Sequence, residues 1–312
     1  MVSKLLLLIY LSFCFSYSVR YDSGLYQDGK NARNAAIGGI SLSYTDGSSF
    51  YNLNNLQHSS IHFSHKNKYG GLLHSSFLSY LYIKGEYPIY LGFINRSIED
   101  IPDTRLAWID NGNSIIDNGE IDYNNIRTIK QQEIGIQLST IRRFGSYVIG
   151  FSIKPRFISL AEYKAFGVSG DLATSIQPEK NIDIIFSLKD IINISSWSSN
   201  SIETFAPIFM TGIHYKIPKL LIGVEVGSRV EKKTIIFYHL GLEYKNRDGV
   251  VMRLGTSYKN MITAGIGFKT SYFNIDYAYL NPLSNTPFPA SHIFSISISL
   301  NRINKIKGII KP

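Results

Sequence analysis

Ser291-His-Ile-Phe-Ser-Ile-Ser-Ile-Ser-Leu300 is the stretch on which the reading of this chain turns. Phe294, Ile296, Ile298 and Leu300 fall on one side, and Ser295, Ser297 and Ser299 on the other. Successive side chains of a strand point to opposite faces, so this segment has one greasy face and one polar face. A strand of a soluble sandwich could read the same way. Recurrence decides the matter. Leu220, Ile222, Val224 and Val226 alternate with Leu221, Gly223, Glu225 and Gly227. Tyr238, Leu240, Leu242 and Tyr244 alternate with His239, Gly241 and Glu243. Val250, Met252 and Leu254 alternate with Val251, Arg253 and Gly255, and Phe273, Ile275, Tyr277 and Tyr279 with Asn274, Asp276 and Ala278. A chain of such strands can close on itself with hydrocarbon outside and polar groups inside.

The same pattern is visible upstream. Ser59–His65, Gly70–Lys84 and Tyr87–Ser97 read as three strands joined by short turns. Ile134–Ser139 and Ile149–Lys154 alternate again, and Ala165–Ser175, Ile182–Lys189 and Phe205–Lys216 read as further strands. Ile98–Thr128 reads as a long loop, with Pro102, Trp108 and the turn signals Asp110-Asn-Gly and Asp117-Asn-Gly. Ile191–Thr204 reads as a Ser/Asn-rich loop around Trp197. The expectation is an all-β, transmembrane, antiparallel up-and-down barrel of about 14 strands. Its expected parts are a signal peptide over 1–18, a hatch or plug over 19–56, the barrel over 57–300 and a basic tail over 301–312.

Composition fits. The 312 residues are 44% hydrophobic and 13% aromatic but only 18% charged, below the usual quarter or so. Lys4 followed by the apolar run Leu5–Phe15 has the form of a secretion signal. The run is too short for a membrane-spanning helix of about 20 residues. Ser16 and Ser18 are small residues before a cleavage point after Ser18. The one cysteine, Cys14, lies inside the signal, so no disulfide is expected despite export. The net charge of +9 is dispersed, apart from Arg302, Lys305, Lys307 and Lys311 in the tail. No basic stripe alternates with stacking aromatics, which argues against nucleic acid. Basic loops would face anionic lipid headgroups instead. Tyr80, Tyr82, Tyr258 and Tyr272 are candidates for interfacial girdles.

In the C-terminal strands the inward set includes Glu225, Glu243, Arg253 and Asp276. A midplane Arg facing lipid would cost about 2–4 kcal/mol, so these four are expected to line the lumen. Inward glycines at 223, 227, 241 and 255 would leave room for a plug. Catalysis is not expected. There is no Gly-x-Ser-x-Gly elbow, and the acids read as lumen lining. Gly265-Ile-Gly267 lacks the remainder of a nucleotide fingerprint. His58, His62 and His65 are spaced as on a helix, but a strand puts His62 and His65 on opposite faces. Asp110, Asp117, Glu120 and Asp122 form an oxygen-rich loop without regular calcium-loop spacing; turn chemistry explains it equally well. No cofactor is expected.

The N-terminal block, Asn31-Ala-Arg-Asn-Ala-Ala-Ile-Gly-Gly-Ile-Ser-Leu-Ser followed by Asp46-Gly-Ser-Ser-Phe-Tyr-Asn-Leu-Asn-Asn-Leu56, resembles the signature of the PorV/PorQ family of FadL-like outer-membrane barrels. Arg33, Ala36, Gly38, Gly39, Asp46, Asn52 and Leu56 match its pattern, while Leu53, Asn54 and Asn55 replace Pro-Ala-Gly. Gly241-Leu-Glu-Tyr244, Arg253-Leu-Gly255, Asp276-Tyr-Ala-Tyr279 and His292-Ile-Phe-Ser295 follow in the family's order. The resemblance implies a barrel with an N-terminal hatch in the outer membrane of a Gram-negative-type bacterium. It implies either passage of hydrophobic small molecules or service in type IX secretion, binding exported cargo or its anchoring machinery. Leu300 is not the aromatic residue on which such barrels usually stop, so recognition by the barrel assembly machinery would use an internal signal.

Overall fold

The computed structural model describes residues 25–26, 31–40, 58–83, 88–115, 117–145, 147–230, 234–257, 261–283 and 289–300. The expected signal peptide, the tail, Tyr258 and the motif residues Asp46 and Asn52 lie outside these residues. The strands are β1 (Ser60–Lys68), β2 (Leu73–Tyr82), β3 (Ile89–Asp103), β4 (Arg127–Phe144), β5 (Tyr147–Leu160), β6 (Tyr163–Glu179), β7 (Ile182–Trp197), β8 (Ile202–Thr204), β9 (Ile208–Ile217), β10 (Leu220–Val230), β11 (Thr234–Lys245), β12 (Val250–Ser257), β13 (Met261–Lys269), β14 (Phe273–Pro282) and β15 (Ser291–Ser299). One short helix, α1, spans Ala32–Ala36.

Neighbours in sequence pair antiparallel, and β1 pairs with β15 through Ser60↔Ser299, His62↔Ser297 and Ser64↔Ser295, so the sheet has no open seam. β8 bonds to the end of β7, and β7 pairs past it with β9. The wall is therefore a closed 14-strand barrel. Closure removes the unpaired edges that hydrocarbon would punish.

The alternation decides which face is which. On β15 Phe294 is exposed while Ser295 and Ser297 are buried. Ile61 and Phe63 on β1, Leu91 and Phe93 on β3, Phe151 and Ile153 on β5, and Leu240 and Leu242 on β11 are also exposed. Their neighbours His62, Ser64, Gln137, Ser139, Ser152 and Glu225 are buried. In water this would be inside out; in a bilayer the apolar band meets lipid tails. Among the described residues no helix is long and apolar enough to cross a membrane, and the crossing is made by strands.

Two expected loops are shorter than their sequences implied. β3 runs on to Asp103 past a register shift between Ile98 and Ile101, where Asp100 has φ 54°. The loop between β3 and β4 is thus 104–126. β7 likewise continues to Trp197, and Ile202–Thr204 folds back on it as β8. There the step from Gly170 to Leu172 on β6 is matched by the step from Ile192 to Leu188 on β7, with Asp190 at φ 55°. Bulges of this kind interrupt the ladder without ending the strand, so a search for unbroken alternation stops too early. The longer connections, 104–126 and 198–207, leave from one end of the barrel. Tight turns such as Asn246–Gly249 leave from the other.

Candidate functional site

The lumen is the site, and residues 25–26 and 31–40 lie within it. The Asn31 side chain caps α1 by accepting from Asn34 N at 2.6 Å. Gly38 and Gly39, at φ 77° and 88°, then turn the chain where an L residue would be strained. Ala32, Ala35 and Ala36 pack on Ala278, Leu280 and Ile293 of β14 and β15.

The opposing inner surface of β10–β12 is a row of glycines in direct register, Gly223↔Gly241 and Gly241↔Gly255. A methyl at Gly241 would stand 2.7 Å from Ile37 Cβ and 2.8 Å from Ile40 Cδ1, and one at Gly255 would strike the Gly38 backbone. The row is the trough in which residues 37–40 lie. Polar contacts fix the segment there. Gly38 N donates to Thr263 Oγ1 at 3.0 Å, Thr263 Oγ1 donates to Ala36 O at 2.9 Å, and His239 Nδ1 lies 2.6 Å from Gly38 O.

An ion chain runs beneath. Arg33 Nε and Nη2 donate to Glu243 at 2.6 and 2.9 Å. Arg253 Nε donates to the same carboxylate at 2.7 Å, and Arg253 Nη1 lies 2.8 Å from Asp276 Oδ1. The Arg253 guanidinium passes over Gly267, whose absent side chain would stand 2.7 Å from Nη1. Arg33, Glu243, Arg253 and Asp276 thus meet in one network, while Gly38 is held by Thr263 and His239. Gly39 borders the same His239, with Nδ1 3.1 Å from where its Cβ would be. Glu225, the register partner of His239, is fully buried 3.3 Å from His214 Nε2.

The wall of β3–β7 is built differently. Pro155, inside β5, has no N–H to give the ladder. Tyr26 meets the interruption: its hydroxyl lies 2.6 Å from Pro155 O and 3.0 Å from Ile136 O. Gly135 makes the space, since a Cβ there would collide with that hydroxyl. Leu25 and Tyr26 join Phe77, Leu81, Tyr90, Ile94, Ile141, Val148 and Ile185 in an apolar cluster on the inner face. Beside it Lys154 Nζ reaches Asp171 at 2.6 Å and Asp190 at 2.8 Å, while Asp190 N donates to Asp171 Oδ1 at 2.8 Å, so the β6–β7 bulge is pinned by one lysine. None of these residues stood out in the sequence. Pro155 and Gly135 inside apparent strands were the available signals.

The oxygen-rich loop does not gather into a ligand set. Asp110 Oδ1 accepts from Gly112 N and Ser114 N, Asp117 Oδ2 from Asn113 Nδ2, and Asp122 Oδ1 from Asn124 N. Glu120 accepts from Asp117 N, Trp108 Nε1 and Asn111 N. These bonds, led by the one from Asp117, hold its carboxyl below the ordinary carboxylate range. Among the described residues no group of three or more His, Cys, Asp or Glu could hold a metal ion. His62 is buried and lies 2.8 Å from Ser297 Oγ, while His65 faces outward beside Ser76.

No family model and no curated protein matches the chain. Solved structures do. The Pseudomonas putida toluene transporter TodX superposes with a TM-score of 0.64 at 11% identity, over 88% of this chain and 98% of its own. The fold is that of the FadL-like outer-membrane channels. The monoaromatic hydrocarbon channel CymD gives a TM-score of 0.58 at 11% identity, covering 88% of this chain and 99% of its own. A Pseudomonas aeruginosa FadL homologue gives 0.52 at 11% identity, over 86% and 97%. The PorV/PorQ part of the resemblance rests on the sequence motifs alone.

Proposed function

We propose that this barrel passes small hydrophobic molecules across the outer membrane of a Gram-negative-type bacterium, without enzymatic activity, and that its N-terminal segment is the hatch. The observation that carries the reading is the seating of residues 31–40: they are held in the lumen by polar contacts and a glycine trough rather than by a continuous strand pairing. Such contacts can be exchanged for others when a solute arrives. Structures named for a toluene transporter and for monoaromatic hydrocarbon channels share the fold, which supports a hydrophobic solute.

The test compares the full barrel with one lacking residues 19–56, both reconstituted in planar bilayers. Steady conductance in the truncated form and closure in the full one is the expected result. Equal conductance would remove the hatch from the proposal. A second reading, a secretion-linked protein that docks cargo on its loops, draws on one feature. Leu106, Ile109, Ile115 and Tyr123 in the 104–126 loop and Ile202 on β8 are more than half exposed, and such patches attract partners. A stoichiometric exported protein recovered from detergent-solubilised outer membranes would favour it; bound small molecule without protein would favour the channel.

A further inference from the structure

The apolar band on the outside of the wall is not equally tall all round. From the short-turn end, the outward side chains of β5 run Tyr147, Ile149, Phe151, Ile153 and, past Pro155, Phe157. That is about 33 Å of strand, enough at a tilt of about 40° to cover a hydrocarbon band of roughly 25 Å. On β3 the outward run is Ile89, Leu91 and Phe93, about 13 Å, and Asn95 and Ser97 follow on the same face. On β1, Ile61 and Phe63 give way to His65 and Asn67. On β2, Tyr82, Tyr80 and Leu78 give way to Ser76 and His74.

These polar side chains form one patch, at the end from which the long loops leave. Register sets Ser76 between His65 and Asn95, and Asn67 between His74 and His292 of β15. His65 Nδ1 lies 3.0 Å from Ser76 Oγ, and the His65 and His74 rings stack at 22° with centroids 6.0 Å apart. His292 sits against Tyr277 and Tyr279 of β14, with centroids 6.1 and 5.6 Å away, and its Nδ1 is 2.7 Å from the Tyr277 hydroxyl. Among the described residues, Nε2 of His65 and of His292 takes no partner. Lys68 closes β1 at the edge of the patch, and Glu99 of β3 is held by Lys130 at 2.6 Å.

Polar side chains turned toward acyl tails are costly unless something bonds to them. Long loops of outer-membrane barrels are extracellular, so the patch stands at the level of the outer leaflet. The lipid of that leaflet in a Gram-negative-type membrane is lipid A, a phosphorylated glucosamine disaccharide carrying acyl chains. Its chemistry fits. Amides and hydroxyls bond to sugar hydroxyls, tyrosine and imidazole rings lie against sugar faces, and imidazole N–H groups and Lys68 donate to phosphate. A subunit interface would have an apolar core, whereas this patch is polar at its centre. We propose that the outer face of β15, β1, β2 and β3 binds the headgroup of lipid A, which sits lower on this side of the barrel than on the β5–β7 side.

The test titrates the full barrel, in neutral detergent, with bisphosphorylated lipid A and separately with phosphatidylglycerol. Native mass spectrometry and the temperature of the heat-modifiable transition are the readouts. Lipid A should form an adduct with the wild type and raise its transition, as a ligand of the folded state does. Phosphatidylglycerol at the same concentration should do neither. His65→Leu with Asn95→Leu, which extends the apolar band, should weaken lipid A by about tenfold or more. Tyr279→Leu with His292→Leu should weaken it too, and serves if the first variant does not migrate as a folded barrel. Equal binding by wild type and variants, or equal binding of phosphatidylglycerol, overturns the headgroup site. A barrel dimer that is lost in His65→Leu with Asn95→Leu makes the patch an interface between copies and overturns the lipid. No adduct and no shift with lipid A overturns the proposal as well. The lumen takes no part in these outcomes, so the site stands or falls apart from the channel reading.

Discussion

Two arginines in this barrel make the same move and meet different ends. Arg253 stretches over Gly267 and finds Asp276, with Glu243 and Arg33 completing the chain. Arg156 stretches over Gly167 and finds Ser195 and Asn193, which carry no charge. The glycine is required in both places because a guanidinium that lies flat across a neighbouring strand leaves no room for a Cβ. The partner sets the role. The first arginine closes a network that holds α1, and the second ties β5 to β7 across β6. The walls around them differ in the same sense. β10–β12, with the glycine trough, are strands of 8 to 12 residues, whereas β3–β7 run 14 to 18 residues and carry the register shifts and Pro155.

The largest effect should come from breaking the paired side. Glu243→Ala takes from Arg33 and Arg253 the buried carboxylate they share and leaves Arg253 with Asp276 alone, a loss of about 3–5 kcal/mol for a buried pair stripped of one member. The segment should leave the trough. Continuous conductance and a lowered temperature of the heat-modifiable transition are the readouts. A variant as closed and as heat-resistant as the wild type would show that the ion chain does not hold the segment.

Next in size is the same substitution placed on each wall. Gly255→Ala puts a methyl against the Gly38 backbone, which cannot swing aside. Gly167→Ala presses on the Ser195 hydroxyl and Arg156 Nε, which can, and on the Ile194 carbonyl, which cannot but belongs to the wall. Overpacking costs about 1–3 kcal/mol, and only at Gly255 does it fall on the seated segment. Gly255→Ala should therefore open the channel, whereas Gly167→Ala should leave it closed. Equal conductance changes in the two variants would erase the distinction between the walls.

A gain of partner is the sharpest test of the contrast. Ser195→Asp would give Arg156 the carboxylate that Arg253 already has. The barrel should gain about 1 kcal/mol from the new charge-assisted bonds, read as a raised temperature of the heat-modifiable transition. A transition at or below the wild-type temperature would mean that Arg156 is already satisfied by Ser195 and Asn193.

The closed 14-strand wall was legible because period-two alternation of large apolar with small polar residues recurs wherever the strands are unbroken, as in Ser291–Leu300. The inward set Glu225, Glu243, Arg253 and Asp276 was legible for the same reason: parity alone assigns a face. Which of these groups meet was not. The seating of α1 against strands far away in sequence brings Arg33 to Glu243, and nothing local to either residue encodes it. The bulges at Asp100 and Asp190 hid the true ends of β3 and β7, because a residue at positive φ interrupts the pattern while the ladder resumes beyond it. Tyr26 was invisible for a related reason. Its docking point is a missing N–H at Pro155, a property of the partner strand.

The smallest effect concerns the mouth above the β3–β6 wall. Arg105 donates to both oxygens of Asp103, at 2.9 and 2.8 Å, and to both of Glu162, at 2.6 and 3.2 Å, tying the 104–126 loop to the β5–β6 turn. Arg105 and Glu162 are open to solvent and Asp103 is partly covered, so the clamp is weak. The hydrogen bonds from Arg105 lower the Asp103 pKa from 3.8 to about 2 and lower that of Glu162 as well. A carboxylate whose folded pKa is depressed stabilises the fold fully above its unfolded value and loses that contribution as pH falls through the folded one. Amide exchange in 104–126, corrected for intrinsic rate, should stay flat from neutral pH down to about 4 and rise only below it as the carboxylates protonate. Arg105→Ala should show the raised exchange at every pH. The ion chain on the opposite wall has no contact with this clamp, so exchange at Ala32–Ala36 should not follow the loop in Arg105→Ala; if it does, the two sides of the lumen move as one unit and the contrast drawn between them fails.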